Sequence, residues 1–189
     1  MELIGGREQR EIVLVPHDPA WAGRALALRR RVAAALTGIA VRVEPIGSTA
    51  VPELAAKPIV DLQASVDGLP DEGPLTPRLA RLGFELRVRE RDHLMYRTPA
   101  HDVHLHVWVA GSDDERRHLL FRDWLRHSRA DRARYGAVKA ELAERAWGDM
   151  NDYAQAKGDV IVEITARAEA WARASGWQLP DPLPDAPAL

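Results

Sequence analysis

The stretch EPIGSTAVPELAAKPIVDLQASV, residues 44–66, joins a polar Gly-Ser turn to an apolar strand that carries a single acid, Asp61, near its middle. Alternate residues of a strand share a face, so Asp61 stands with Ile59 and Gln63 while Val60 and Leu62 point the other way. A carboxylate buried there alone is costly; it has to be paired, bound to a metal or placed at an exposed edge. The turn supplies a complement. Gly47 allows a ligand to approach the backbone, Ser48 and Thr49 offer hydroxyls, and free N–H groups at a following helix start can hold phosphate oxygens. Lys57, just before the strand, is a further candidate for binding phosphate.

Around this stretch the chain divides into a strand-rich front half and a helical back half, which defines an α+β protein. A helix opens at HDPAW with Asp18 as its cap and Pro19 in its first turn, and IAVRVEPI (39–46) alternates as a strand. KPIVDLQASV (57–66) is the second strand, with Pro58 tolerated at its first residue. LTPRLARLGF suggests a short helix ended by Gly83, and FELRVRE, LMYRT and DVHLHVWV three more strands. Ser112 caps a helix whose first turn carries Asp113, Asp114 and Glu115, favourable to the helix dipole. Further helices are expected over ADRARYGAVKAELAERAW and over 149–175. One domain is expected over residues 1–176, followed by an irregular tail, 177–189, whose thirteen residues include four prolines.

Composition narrows the function. The 189 residues can bury about two thirds of their unfolded surface in a single core. There is no cysteine, which excludes disulfides, thiolate zinc sites and cysteine nucleophiles and fits the cytoplasm. No apolar run approaches the roughly 18 residues of a membrane span, and MELIGGREQR has no apolar core of a signal peptide. With 26 basic and 28 acidic residues interspersed, net charge −2, a general nucleic-acid affinity is not expected, and the Arg29–Arg31 run reads as a solvated helix face.

Three other groups of residues carry possible chemistry. His104 and His106 leave one face of their strand, expected to be the face opposite the core, where they can ligate a metal or hold a phosphate, or simply face solvent. His93, Arg97, His101 and Asp102 lie close by in sequence and either supply supporting contacts or are ordinary surface. YGAVK and YAQAK each place Tyr and Lys four apart on a helix, pairing Tyr135 with Lys139 and Tyr153 with Lys157; each lysine either binds an anion or snorkels past a packed tyrosine. In FRDWLR, Phe121, Trp124 and Leu125 have core spacing, and Arg122, Asp123 and Arg126 form a pair or line a cleft.

Gly-Ser followed by an acid on an apolar strand resembles the nucleotidyltransferase fold of the DNA polymerase β type. IGSTAVPELAAKPIVDLQ, MYRTPAHDVHLHVW, FRDWLR, YGAVK and YAQAK, in that order over about residues 12–172, more closely resemble the GrpB family. The resemblance implies a mixed β-sheet flanked by helices and a nucleotidyl-transfer site. Gly47 and Ser48 would position a nucleoside triphosphate, Asp61 would bind Mg²⁺ or Mn²⁺, and a small-molecule acceptor of unknown identity would take the nucleotidyl group. The chain departs from the pattern at three places. Gln63 stands where the second acid is usual, Pro45 replaces a histidine, and Glu53 replaces a glycine and either restores a carboxylate or caps a surface turn. Three functions therefore stay open: metal-dependent nucleotidyl transfer, an inactive ligand-binding or interaction module with an associational link to coenzyme A, and a phosphoesterase or metal-binding protein built on His104 and His106.

Overall fold

Strand alternation and helix caps in this chain organise into a mixed six-stranded sheet with helices on both faces. The computed structural model describes residues 2–6, 11–69 and 73–184, and only the backbone of 150 and 151. In chain order the elements are β1 (Glu2–Leu3), α1 (Ala20–Ala35), β2 (Ala40–Ile46), β3 (Val60–Val66), α2 (Leu75–Ala80), β4 (Glu85–Glu90), β5 (His93–Arg97), β6 (Val103–Val109), α3 (Asp113–His127), α4 (Arg129–Ala143), α5 (Met150–Gln155) and α6 (Gly158–Ser175). The sheet order is β1-β4-β5-β6-β3-β2. Every pairing is antiparallel except β3 with β6, which are parallel at the centre.

The period-2 pattern sorts the two faces. Val60, Leu62, Ala64 and Val66 of β3 line up with Val103, Leu105 and Val107 of β6 and with Leu94 and Tyr96 of β5. With Val32 and Leu36 of α1 and Leu75 and Leu79 of α2 they form the main core. Burial at about 25 cal/mol per Å² of apolar surface makes this continuous layer a major stabilising contribution. Helices α3, α4 and α6 pack together on the other face, where Val51, Leu54, Leu125, Tyr135, Val160 and Ile164 form a second core.

That second face is not the open surface expected for it. Helix α3 covers its far end, so Gln63 and Ser65 are fully buried. The Gln63 Nε2 donates to the Glu115 carbonyl at 3.2 Å. Glu115, itself buried, receives Arg42 at 2.8 Å and the Gly111 N–H at 2.6 Å. Arg122 is likewise structural: its guanidinium donates to Pro45 O at 2.8 Å and to Glu44 and Asp123, tying α3 to β2.

Most elements fall where the alternation and caps put them. Asp18 accepts the Ala20 N–H at 2.8 Å at the start of α1, and Ser112 accepts the Glu115 N–H at 3.2 Å at the start of α3. Four differences have local causes. Lys57 to Ile59 precede β3, whose first ladder residue is Val60, because Pro58 has no N–H to donate. The helix expected after Gly47 is a single 3₁₀ turn, Ser48–Ala50, closed by Ala50 N–H to Gly47 O at 3.3 Å. The expected helix over 149–175 is broken into α5 and α6 just before Gly158, the residue least favoured in a helix interior after proline. β1 is too short to show any periodicity.

The tail expected from 177 is described as far as 184 and has no helix or strand. It is nevertheless docked: the Leu183 N–H donates to Val41 O at 2.7 Å, and Arg42 Nε to Pro180 O at 2.7 Å. Among the described residues no helix is long and apolar enough to cross a membrane. Ser112→Ala removes the α3 cap and is expected to lower unfolding free energy by about 1 kcal/mol, measured by urea denaturation.

Candidate functional site

The site begins with a close approach between two backbones. Gly47 has φ 69°, a left-handed conformation, and its Cα faces Asp61 across the β2–β3 ladder, next to the register pair Ile46 and Asp61. A methyl group on Gly47 would meet Asp61 Cβ and Cγ at 3.0 Å, and the Oδ2 closer still. Glycine is therefore required both by conformation and by space. The turn is tied down by Thr49, whose hydroxyl donates to Ile59 O at 3.0 Å.

Opposite the turn, the parallel register pairs Asp61 with His104 and Gln63 with His106. His104 Nδ1 lies 3.2 Å from Asp61 Oδ1, and one ligand atom each from Asp61, His104 and His106 lie within 4.8 Å of one another. Burial by itself raises the Asp61 pKa, but the hydrogen bond from His104 and the charges of His104, His106 and Lys57 together hold it below the ordinary carboxylate value. Burial pushes His106 down to about 3, so this imidazole is neutral at physiological pH.

Three lysines converge on the same place from different elements. Asp61, His104, Gly47, Ser48 and Thr49 share a cavity of about 170 Å³ with Lys57, Lys139, Lys157, Tyr135 and Tyr153. Lys139, on α4, donates to Ser48 Oγ at 2.9 Å and to Ala55 O at 2.5 Å, and its ammonium sits 5.2 Å from the centre of the Tyr135 ring. Lys57 and Lys157 both sit over Tyr153, at 5.4 Å and 4.5 Å from its ring centre. In both Tyr-Lys pairs the lysine snorkels past a buried tyrosine, and its ammonium group ends in the cavity. Burial, then repulsion from Lys157 and Lys57, lowers Lys139 to about 7; burial, then Lys57, lowers Lys157 to about 8. Burial also lowers Lys57, against the pull of Asp61.

Several sequence candidates lie elsewhere. Glu53, at φ 64°, is exposed and pairs with Arg132 at 2.6 Å, so it supplies no carboxylate to the cavity. Gln63 is held under α3 and Arg122 is committed to β2. Asp102 receives Thr98 at 2.6 Å and pairs with Arg24. Arg97 faces His104 in the β5–β6 register but is not among the cavity's lining residues. What sequence reasoning missed is Glu90 and His118, which stand around His93 and His106; only the β5–β6 register brings His93 close to His106.

The donor set can be tested against the metal expected from the fold. Mg²⁺ takes oxygen ligands in octahedral geometry. Here one carboxylate stands with two imidazoles, and the amide at the usual second-acid position is buried and already bonded to Glu115. These residues do not fit Mg²⁺.

A mixed sheet with a Gly-Ser turn set against an acid on a central strand, flanked by helices on both faces, is a nucleotidyltransferase-like fold. The chain belongs to the GrpB family: the family model described as GrpB protein matches residues 11–167. A UPF0157 protein of Streptomyces coelicolor is 50% identical over 170 residues, covering 90% of this chain and 91% of that protein. A UPF0157 protein of Halalkalibacterium halodurans is 40% identical, with 84% and 83% covered. A dephospho-CoA kinase of Mycobacterium leprae is 34% identical, matching 88% of this chain but 48% of its own length. The crystal structure of the conserved protein GrpB from Enterococcus faecalis superposes with a TM-score of 0.75 at 29% identity, covering 84% of this chain and 99% of that one.

Two measurements check this geometry. Gly47→Ala forces either the turn or Asp61 to move and is expected to cost about 2 kcal/mol of stability, read by thermal unfolding. For Lys139 the folded pKa of about 7 lies below the unfolded value of 10.5, so between them the unfolded chain holds a proton that the folded chain has released. Stability contributed by this group therefore rises with pH through that window. Between about pH 7 and about pH 9, Lys139→Met is expected to gain about 2 kcal/mol less than the parent chain, measured by urea denaturation at each pH.

Proposed function

We propose that the cavity binds the phosphate chain of a nucleoside triphosphate, and that the protein transfers the nucleotidyl group to a small-molecule acceptor. The observation that carries this reading is the charge balance of the lining: Lys57, Lys139 and Lys157 face one another across a cavity that contains a single carboxylate, Asp61. Mutual repulsion between buried ammonium groups is unfavourable without an anion, and perturbed titration of this kind clusters at functional sites. A bound phosphate would favour the charged form of each lysine.

The cavity is smaller than the roughly 300–1,000 Å³ typical of small-molecule pockets. It matches a phosphate group and its neighbours, with the nucleoside outside. The lysines would neutralise charge on the phosphates, and the Gly47–Ser48 turn would position them. In transfer, the acceptor's lone pair attacks the α-phosphorus, the bond to the bridging oxygen breaks, pyrophosphate leaves with that electron pair, and the acceptor's proton passes to solvent. Preorganised positive charge and positioning are the contributions such a site makes.

A second reading is a ligand-binding module without turnover. It is favoured by one observation: Gln63, at the second-acid position, is buried under α3 and bonded to Glu115 O. The similarity to dephospho-CoA kinases makes coenzyme A precursors, which carry phosphate, the first ligands to try under that reading.

Calorimetric titration with the four nucleoside triphosphates and with dephospho-CoA separates these. The transfer reading expects triphosphate binding that weakens at least about 10-fold in Lys157→Met and Lys139→Met, each removing a charge-assisted contact, followed by pyrophosphate release with an acceptor. Binding of dephospho-CoA alone, without pyrophosphate release, supports the module. Absence of binding by either ligand class overturns both.

A further inference from the structure

We propose that Asp61, His104 and His106 bind one borderline transition-metal ion, Zn²⁺ first among them, and that Glu90 and His93 are positioning residues that hold His106 in the ligating tautomer. This inference is tested without nucleotide and so stands apart from the phosphate reading, although Asp61 and His104 also line the lysine cavity.

Proton positions around His93 decide which nitrogen of His106 is bare. His93 Nδ1 lies 3.0 Å from Glu90 Oε2, and His93 Nε2 lies 3.0 Å from His106 Nδ1. A carboxylate accepts, so His93 Nδ1 carries the proton that Glu90 receives. Neutral His93 then has its lone pair on Nε2, and His106 Nδ1 must donate to it. That assignment leaves His106 Nε2 without a proton, with its lone pair available to a metal. The two rings are almost parallel, at 6°, and His93 stacks on Trp108 at 3.9 Å and 9°, so the relay is rigid. His93 is itself buried. His118, whose Nδ1 donates to Asp114 O at 2.7 Å, stands beside the relay on α3 with its ring 6.5 Å from that of His106.

A chain of carboxylate, imidazole and ligating imidazole is the arrangement that orients metal-bound histidines and raises their basicity. The other two donors are already close. With metal–ligand bonds of about 2.0–2.1 Å, neighbouring ligand atoms of a tetrahedron lie about 3.3 Å apart, and Asp61 Oδ1 is 3.2 Å from His104 Nδ1, a hydrogen-bonded pair whose Nδ1 proton is released to solvent when the metal takes its place. The remaining edges, at up to 4.8 Å, would have to shorten by rotation of the Asp61 and His104 side chains, since His106 is held by His93. Two imidazoles and one carboxylate suit Zn²⁺, Fe²⁺ or Co²⁺ rather than Mg²⁺. Three protein ligands leave a fourth position, and because Asp61 and His104 line the lysine cavity, that position opens toward it.

The test uses the full chain, stripped of metal with a chelator. Titration with Zn²⁺ by calorimetry and with Co²⁺ by visible absorption is expected to give one equivalent per chain, with ligand-field bands of a tetrahedral or five-coordinate ion. Mg²⁺ in about 1,000-fold excess is expected not to displace it. His104→Ala and Asp61→Asn should each lose at least about 10-fold in affinity, while Glu90→Gln and His93→Gln, which touch no metal, should lose about 10–100-fold and alter the Co²⁺ spectrum. In the metal-free parent chain, imidazole ¹⁵N shifts should show His106 protonated on Nδ1 and bare on Nε2, a result that needs no variant to fold. Protonation of His106 Nε2 instead, unchanged Zn²⁺ affinity in His104→Ala, or displacement by an equal concentration of Mg²⁺ would each overturn the proposal. Triphosphate binding without metal binding, or the reverse, tells the two proposals apart.

Discussion

The parallel pairing of β3 with β6 is the constraint on which the rest of the molecule depends. Its register puts Val60 beside Val103 and Leu62 beside Leu105 on one face, and Asp61 beside His104 and Gln63 beside His106 on the other. A slip of one residue in either strand would exchange the faces, placing a carboxylate and imidazoles in the main core and branched aliphatics against α3. No short turn can join parallel neighbours. The chain between them runs through α2 and the β4–β5 hairpin, and that detour brings His93 alongside the site.

The two faces stabilise the pairing in different ways. One is a continuous aliphatic layer whose contribution scales with buried area. The other buries polar groups, which are tolerable when partnered. Gln63 through Nε2, Glu115 and Arg122 meet that condition through α3, so this helix acts as a polar clamp over the far end of the sheet and leaves the near end, with Asp61 and His104, open to the lysine cavity. Lys139 and Lys157 reach that opening from α4 and from the start of α6, elements distant in sequence from the turn they meet.

Local information was legible in the sequence to the extent that it was self-contained. Alternation in KPIVDLQASV and DVHLHVWV sorts Asp61, His104 and His106 from their aliphatic neighbours, and Ser112 and Asp18 mark helix starts, because side-chain period and cap chemistry are decided within a few residues. The block order that resembles GrpB gives the fold and family. What was not legible depends on partners far along the chain. Nothing near Gln63 announces that α3 will cover it, and nothing near Glu53 announces Arg132. The Glu90–His93–His106 relay exists only because β5 returns antiparallel to β6. The break before Gly158 reflects a conflict between a long helical pattern and one residue of low propensity, which composition alone does not resolve.

The segment from Pro180 to Leu183 meets β2, where the Leu183 N–H donates to Val41 O and Pro180 O accepts from Arg42 Nε. β2 is one of the two margins of the sheet, and an exposed margin is a template for strand addition by another chain. A proline-rich strap is suited to this place because it occupies the margin yet offers few N–H groups of its own for further pairing. At Val41 the margin is thereby occupied and offers less of its backbone to a strand from another chain, on the same strand that leads into the Gly47 turn.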